Sequence, residues 1–122
     1  MNNQDLILDH YHHPKNFGKL DAPMYRAETE NLSCGDSLAV DIIVKDGIIE
    51  RVGWTGNGCA LSQASISMLS EHITGWNIED VKKLSSGDVF TLLGTDSFSP
   101  ARTRCALLSL ETVQRAFEKS NQ

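Results

Sequence analysis

Apolar residues recur along this chain in two rhythms, and the change of rhythm divides it in half. Over about residues 3–13, Leu6, Ile7, His10 and Tyr11 fall on one face of a predicted helix. Asn3 or Asp5 can cap that helix, and Pro14 ends it. Residues 16–23 read as an exposed connection. Three strands follow. Met24 to Leu32 carries the weakest signal. Leu38 to Val44 reads Leu-Ala-Val-Asp-Ile-Ile-Val, rich in β-branched residues with one face to bury. Asp46-Gly47 is a hairpin turn, and Ile48 to Thr55 returns as the third strand.

After Cys59 the period becomes helical. Ile66, Leu69 and Ile73 lie at i, i+3 and i+7, and Leu61, Ala64 and Met68 widen the stripe. Gly75 is the expected stop. Asn77 caps a short helix through Leu84, and Ser86 or Asp88 starts another that ends near Gly94. Residues 96–100 form a predicted loop. A last helix is expected from about Thr103 to Lys119, burying Ala106, Leu110, Val113 and Phe117. Strands first and helices afterwards imply an α+β fold: a three-stranded antiparallel sheet with helices packed on one face. The 122 residues suit one domain, expected to span 1–122.

Composition narrows the function. With 40% apolar residues the chain has a core to bury. A net charge of −5, from 11 basic and 16 acidic residues, disfavours nucleic acid or an anionic membrane as partner. The first residues show no secretory signal pattern and no apolar run spans a membrane, so a cytoplasmic location with reduced thiols is expected.

The candidate chemistry lies in three cysteines, each at a predicted turn or element end. Cys34 precedes Gly35 and Asp36 in a strand connection, where a thiolate and a carboxylate two residues apart can meet one metal. Cys59 follows Gly-Asn-Gly and opens the long helix, where exposed N–H groups and the helix dipole favour a thiolate. Cys105 stands near the start of the last helix, flanked by Arg102 and Arg104. Three thiolates and a carboxylate suit a soft divalent metal or an iron–sulfur cluster. Taken singly, each has a plainer reading: a packed small residue, a Gly-Asp turn, solvated surface arginines. The spacings, 24 residues between Cys34 and Cys59 and 45 between Cys59 and Cys105, contain no Cys-x-x-Cys, so a site requires the fold to bring distant element ends together. His10, His12 and His13 cluster around Tyr11, but helix neighbours diverge, and partial burial or exposure is the expected fate of all three. His72 reads as a dipole partner at a helix C-terminus.

Read in order, these segments resemble the U-type scaffold family of iron–sulfur cluster assembly, related to the N-terminal part of the nitrogen-fixation scaffold. Residues 7–18 resemble its opening helix and Asn-Pro-Arg-Asn-x-Gly segment, with His13 and Lys15 in place of Asn and Arg. Ser33-Cys34-Gly35-Asp36 resembles the first ligand loop. Residues 56–65 resemble Gly-x-Gly-Cys-x-x-Ser-x-Ala-Ser, and residues 100–106 resemble the third ligand segment. One branch of the family carries His-Cys there, after a Leu-Pro-Pro-Val-Lys chaperone-docking motif. This chain has Arg104 before Cys105 and lacks that motif, like the sulfur-mobilisation branch with its Pro-x-Arg-x-x-Cys. That branch usually carries an insertion between the second and third cysteines, and the spacing here is too short for it.

The resemblance implies a scaffold and sulfur acceptor. Cys34, Asp36, Cys59 and Cys105 would bind zinc or a transient [2Fe–2S] cluster, with Arg102 and Arg104 offsetting their charge. A cysteine desulfurase would supply persulfide sulfur, with Cys105 the first choice of acceptor and Cys34 the second. Apo iron–sulfur proteins or carriers would receive the product. The rival readings are a sulfurtransferase without a scaffold role, a structural zinc domain, and a zinc hydrolase or deaminase. The last lacks His-x-Glu with Cys-x-x-Cys, and lacks His-Glu-x-x-His.

Overall fold

Two alternating runs and one Asp-Gly pair build the sheet. The computed structural model describes residues 3–31, 35–95 and 98–119. Its elements are α1 (Asn3–His12), β1 (Tyr25–Asn31), β2 (Asp36–Lys45), β3 (Ile48–Asn57), α2 (Ala60–Ile73), α3 (Ile78–Lys82), α4 (Ser86–Leu92) and α5 (Pro100–Lys119). The strands form one antiparallel sheet in the order β1-β2-β3. Asp46 and Gly47 both take positive φ, 55° and 78°, as the tight turn between β2 and β3 requires. A register irregularity lies beside that turn, between Ile43 and Val44.

The side-chain period of two gives the sheet two unlike faces. Leu38, Val40 and Ile42 of β2 point to the helix side and are fully buried, with α5 packed over β2 and α2 over β3. Thr29 of β1 and Thr112 of α5 bond through their hydroxyls inside that interface. Among the described residues no helix packs on the opposite face. The segment between α1 and β1 first runs along β3, where Gly18 N–H bonds Trp54 C=O at 2.7 Å and Trp54 Nε1–H, on the helix side with its register partner Val40, bonds Lys15 C=O at 2.8 Å; it then turns onto the opposite face, where Leu20 N–H bonds Asp41 Oδ2 at 3.1 Å. A Cβ at Gly53 would stand 2.5 Å from the Gly18 carbonyl, so this strap lies on the strand at backbone contact distance. The expected exposed connection is exposed in its side chains and tied down in its backbone.

Helix α2 is the hub. All residues from Leu61 to Ser70 except Gln63 are buried, on every side of the helix, against α1, α5 and β3. Four of them are serines. Ser65 bonds the Ala106 carbonyl and the Ser109 hydroxyl of α5, both at 2.8 Å. Ser67 meets His10 Nδ1 and Lys15 N–H, both at 2.8 Å. Small side chains let neighbouring backbones approach closely, and each buried hydroxyl has a partner.

Two boundaries differ from the sequence expectation in ways that move the site. Strand β2 starts at Asp36 rather than Leu38, so Asp36 belongs to a strand and not to a loop. Helix α5 starts at Pro100 rather than Thr103. Proline is well suited to the first helical position, where no intrahelical N–H bond is lost. Ser99 stands before it, its hydroxyl accepting from Arg102 N–H at 3.4 Å and its carbonyl from Thr103 N–H at 2.8 Å. Arg102, Arg104 and Cys105 are therefore helical.

Candidate metal centre

Asp36, Cys59 and Cys105 each offer one ligand atom, and these atoms all lie within 4.8 Å of one another. The three come from the first residue of β2, the residue before α2, and the second turn of α5. Cys34, the fourth expected ligand, lies outside the described residues; Gly35 beside it has φ 75°, and its N–H bonds the Asn31 carbonyl at 2.8 Å across the turn.

Asp36 is 2% exposed and its carboxylate is divided between two tasks. Oδ1 accepts the backbone N–H of Cys59 at 2.9 Å. Oδ2 lies 3.4 Å from Cys59 Sγ. The α2 N-terminus is thus capped from another strand, since Cys59 as N-cap makes no side-chain cap bond of its own. Gly58 makes this possible. It takes φ 144°, and a Cβ there would fall 2.1 Å from Asp36 Oδ1. The glycine leaves the space that the carboxylate fills.

Cys59 is exposed, Cys105 is 8% exposed, and both are thiols rather than half-cystines. With α5 starting at Pro100 rather than Thr103, Cys105 lies in the second turn of the helix and is turned toward the core. Ser62 lies one turn after Cys59, its hydroxyl donating to the Cys59 carbonyl at 3.1 Å and sitting 3.8 Å from Cys59 Sγ. Beside the thiols a cleft of about 380 Å³ is lined by Ala60, Leu61, Ala101, Arg102 and Arg104 together with the two cysteines. Both arginines are exposed. The Arg102 guanidinium lies 5.7 Å from the centre of the Phe98 ring.

The donor set fits a soft divalent ion. In tetrahedral zinc thiolate sites the Zn–S bond is about 2.3 Å, which places two sulfurs about 3.8 Å apart. A trio already within 4.8 Å needs only side-chain rotation to reach that spacing. The histidines stay outside this group. His10 is buried against Ser67, His12 and His13 are exposed, and exposed His72 meets Trp76 with ring centres 4.7 Å apart and planes tilted by 53°. Sequence reasoning missed the contacts of Gly58 and Ser62. Their signal was present as a glycine just before, and a serine three residues after, a cysteine at a helix start.

A sequence model of the NifU-like N-terminal domain matches residues 2–122, and the chain belongs to that family. It is 33% identical to the iron–sulfur cluster assembly scaffold protein IscU of Thermotoga maritima, over 94% of this chain and 92% of that protein. It is 30% identical to the zinc-dependent sulfurtransferase SufU of Bacillus subtilis, over 95% of this chain and 89% of that protein. The fold matches the crystal structure of FiSufU from Fervidobacterium islandicum AW-1 with a TM-score of 0.81 at 26% identity, covering 92% of this chain and 93% of the other. No helix among the described residues is long and apolar enough to cross a membrane.

Proposed function

We propose that this protein is a sulfur acceptor and scaffold in iron–sulfur cluster assembly, holding zinc at rest or a [2Fe–2S] cluster in transit at Cys34, Asp36, Cys59 and Cys105. The observation that carries this reading is the meeting of Asp36, Cys59 and Cys105 in a chain whose relatives include both a scaffold and a zinc-dependent sulfurtransferase. A bound zinc ion would hold the thiols as thiolates. Three thiolates and one carboxylate leave a surplus of negative charge over a divalent ion, and Arg102 and Arg104 on the cleft wall lie where they offset it. The carboxylate is the hardest of the four donors and the readiest to leave, which suits a site that must release its cargo.

Sulfur arrives as the persulfide of a cysteine desulfurase. A thiolate of this protein attacks the outer sulfur, the S–S bond breaks, and the desulfurase thiolate departs, leaving a persulfide here. Exposure makes Cys59 the accessible acceptor of the two described cysteines, ahead of buried Cys105. The recipients are apo iron–sulfur proteins or carriers. A hydrolytic zinc site is not favoured: the described ligand group contains one carboxylate, which this reading uses as a ligand, and no second carboxylate in that group is left to act as a general base.

Anaerobic purification with metal analysis and a visible spectrum tests the cargo. Zinc without colour identifies the sulfur-acceptor role, and absorption near 400 nm, roughly where thiolate-bound clusters absorb, identifies the scaffold role. Adding the protein to a cysteine desulfurase should raise its turnover. Full stimulation by Cys34→Ser, Cys59→Ser and Cys105→Ser alike would exclude a thiol acceptor.

A further inference from the structure

The two described cysteines differ sharply in access while their sulfurs lie within 4.8 Å. Both cysteines line the cleft, Cys59 as an exposed residue and Cys105 as one only 8% exposed. Cys59 also stands outside the regular helix, with extended backbone at φ −73° and ψ 163°, so its side chain can rotate without disturbing α2. An exposed thiol with a second, sheltered thiol at its back is the arrangement that captures a sulfenic acid before it oxidises further.

We propose that, in the metal-free protein, Cys59 is a modification site for hydroperoxides, and that Cys105 resolves it into a Cys59–Cys105 disulfide. The Cys59 thiolate attacks one peroxide oxygen, the O–O bond breaks, and the product is Cys59 sulfenic acid with hydroxide, or alkoxide from an organic hydroperoxide. Cys105 then attacks the Cys59 sulfur. The S–S bond forms, the S–O bond breaks, and the hydroxyl leaves as water with a proton. With hydrogen peroxide the balance is two thiols and one peroxide to one disulfide and two waters. The sulfurs must close from within 4.8 Å to about 2.05 Å, a movement that rotation of the exposed Cys59 side chain supplies. The product removes two of the three described donors, and of the proposed ligands only Asp36 and Cys34 remain. With half of its proposed donors gone the site loses its tight metal binding, and a thiol reductant restores it. A metal ion held by both sulfurs blocks the first step. This last consequence rests on the metal-centre reading above, whereas the disulfide itself does not.

The experiment starts from wild-type protein, reduced and stripped with a chelator, then given hydrogen peroxide. Intact mass and non-reducing peptide mapping should show the loss of two hydrogens and a Cys59–Cys105 crosslink. The zinc-loaded protein should lose thiols at least about tenfold more slowly, and a reductant should restore zinc binding to the oxidised form. In Cys105→Ser, dimedone should trap sulfenic acid at Cys59; Cys34→Ser should form the same crosslink as wild type. A crosslink that includes Cys34, or conversion of Cys59 to sulfinic acid while Cys105 still alkylates, overturns the proposal. The wild-type map decides this even if a variant misfolds. A disulfide without zinc affinity would sink the metal-centre reading alone, and zinc affinity without a disulfide would sink this proposal alone.

Discussion

Strand β2 buries two aspartates five residues apart on opposite faces of one sheet, and they have been put to opposite uses. Asp41 faces the strap. One of its oxygens accepts the Leu20 N–H, and the other lies 3.4 Å from the half-exposed Arg26 guanidinium, an ion pair without hydrogen-bond alignment. Asp36 faces the helices, with one oxygen on a backbone N–H and the other toward a thiol. A carboxylate beside a fixed cation is a structural fastener. A carboxylate beside thiols at a helix start remains available to a cation that comes and goes. The difference lies in what the opposite wall presents, since residue type, strand and burial are shared.

The comparison can be broken most sharply at Asp36. Asp36→Ala should weaken zinc binding by about 10–100-fold or change the lifetime of a bound cluster, measured by chelator competition and by absorbance decay, while the fold survives. The same change removes the α2 cap and should lower stability by about 1 kcal/mol. Asp36→Asn keeps an acceptor for Cys59 N–H and should recover much of that stability without recovering the metal affinity. Unchanged affinity and lifetime in both variants would reduce Asp36 to a cap.

Gly58→Ala attacks the same carboxylate from below. A methyl group cannot coexist with Asp36 Oδ1 at 2.1 Å, so the carboxylate must move. Urea denaturation should show a loss of about 1–3 kcal/mol, together with weaker zinc binding. A stable variant with full zinc affinity would show that the carboxylate position is not critical.

Asp41→Asn should give the mirror image. Loss of the ion pair in a buried setting should cost about 1–3 kcal/mol in urea denaturation and leave zinc affinity within experimental error of wild type. A matching loss of metal affinity would mean that the two faces of the sheet are coupled and the contrast fails.

The smallest effect is expected from Arg104→Gln. The side chain is exposed, so zinc affinity should fall by no more than about threefold, and the difference should vanish at high salt. A large, salt-independent loss would place this guanidinium inside the site rather than on its rim.

What could be read in advance follows the same division. The Asp46-Gly47 turn was legible because few residue pairs accept positive φ twice. The cysteines were legible as candidates because their neighbours, Gly35, Gly58 and the arginines, are poor core formers. The burial of Cys105 was not. It depends on whether Pro100 closes a loop or opens a helix, and proline serves both ends equally well in a single sequence. The four serines of α2 were illegible for a different reason. A serine counts as polar in any periodicity, yet here each hydroxyl finds a partner and the helix is buried on all sides. Asp41 was hidden among β-branched neighbours, its role fixed by a strap that only the fold brings across.

The three described donors come from the start of a middle strand, the start of the central helix and the second turn of the last helix. No short stretch of chain contains two of these three, so the unfolded polypeptide offers a metal ion no more than the local Cys34–Asp36 pair and isolated cysteines. Tight binding exists only once α5 has docked against β1 and β2, which makes cargo capture conditional on completed folding. By linkage, whatever the site binds pulls the docking of α5 toward completion. During synthesis the protein therefore becomes competent only after α5 has left the ribosome and closed over the sheet.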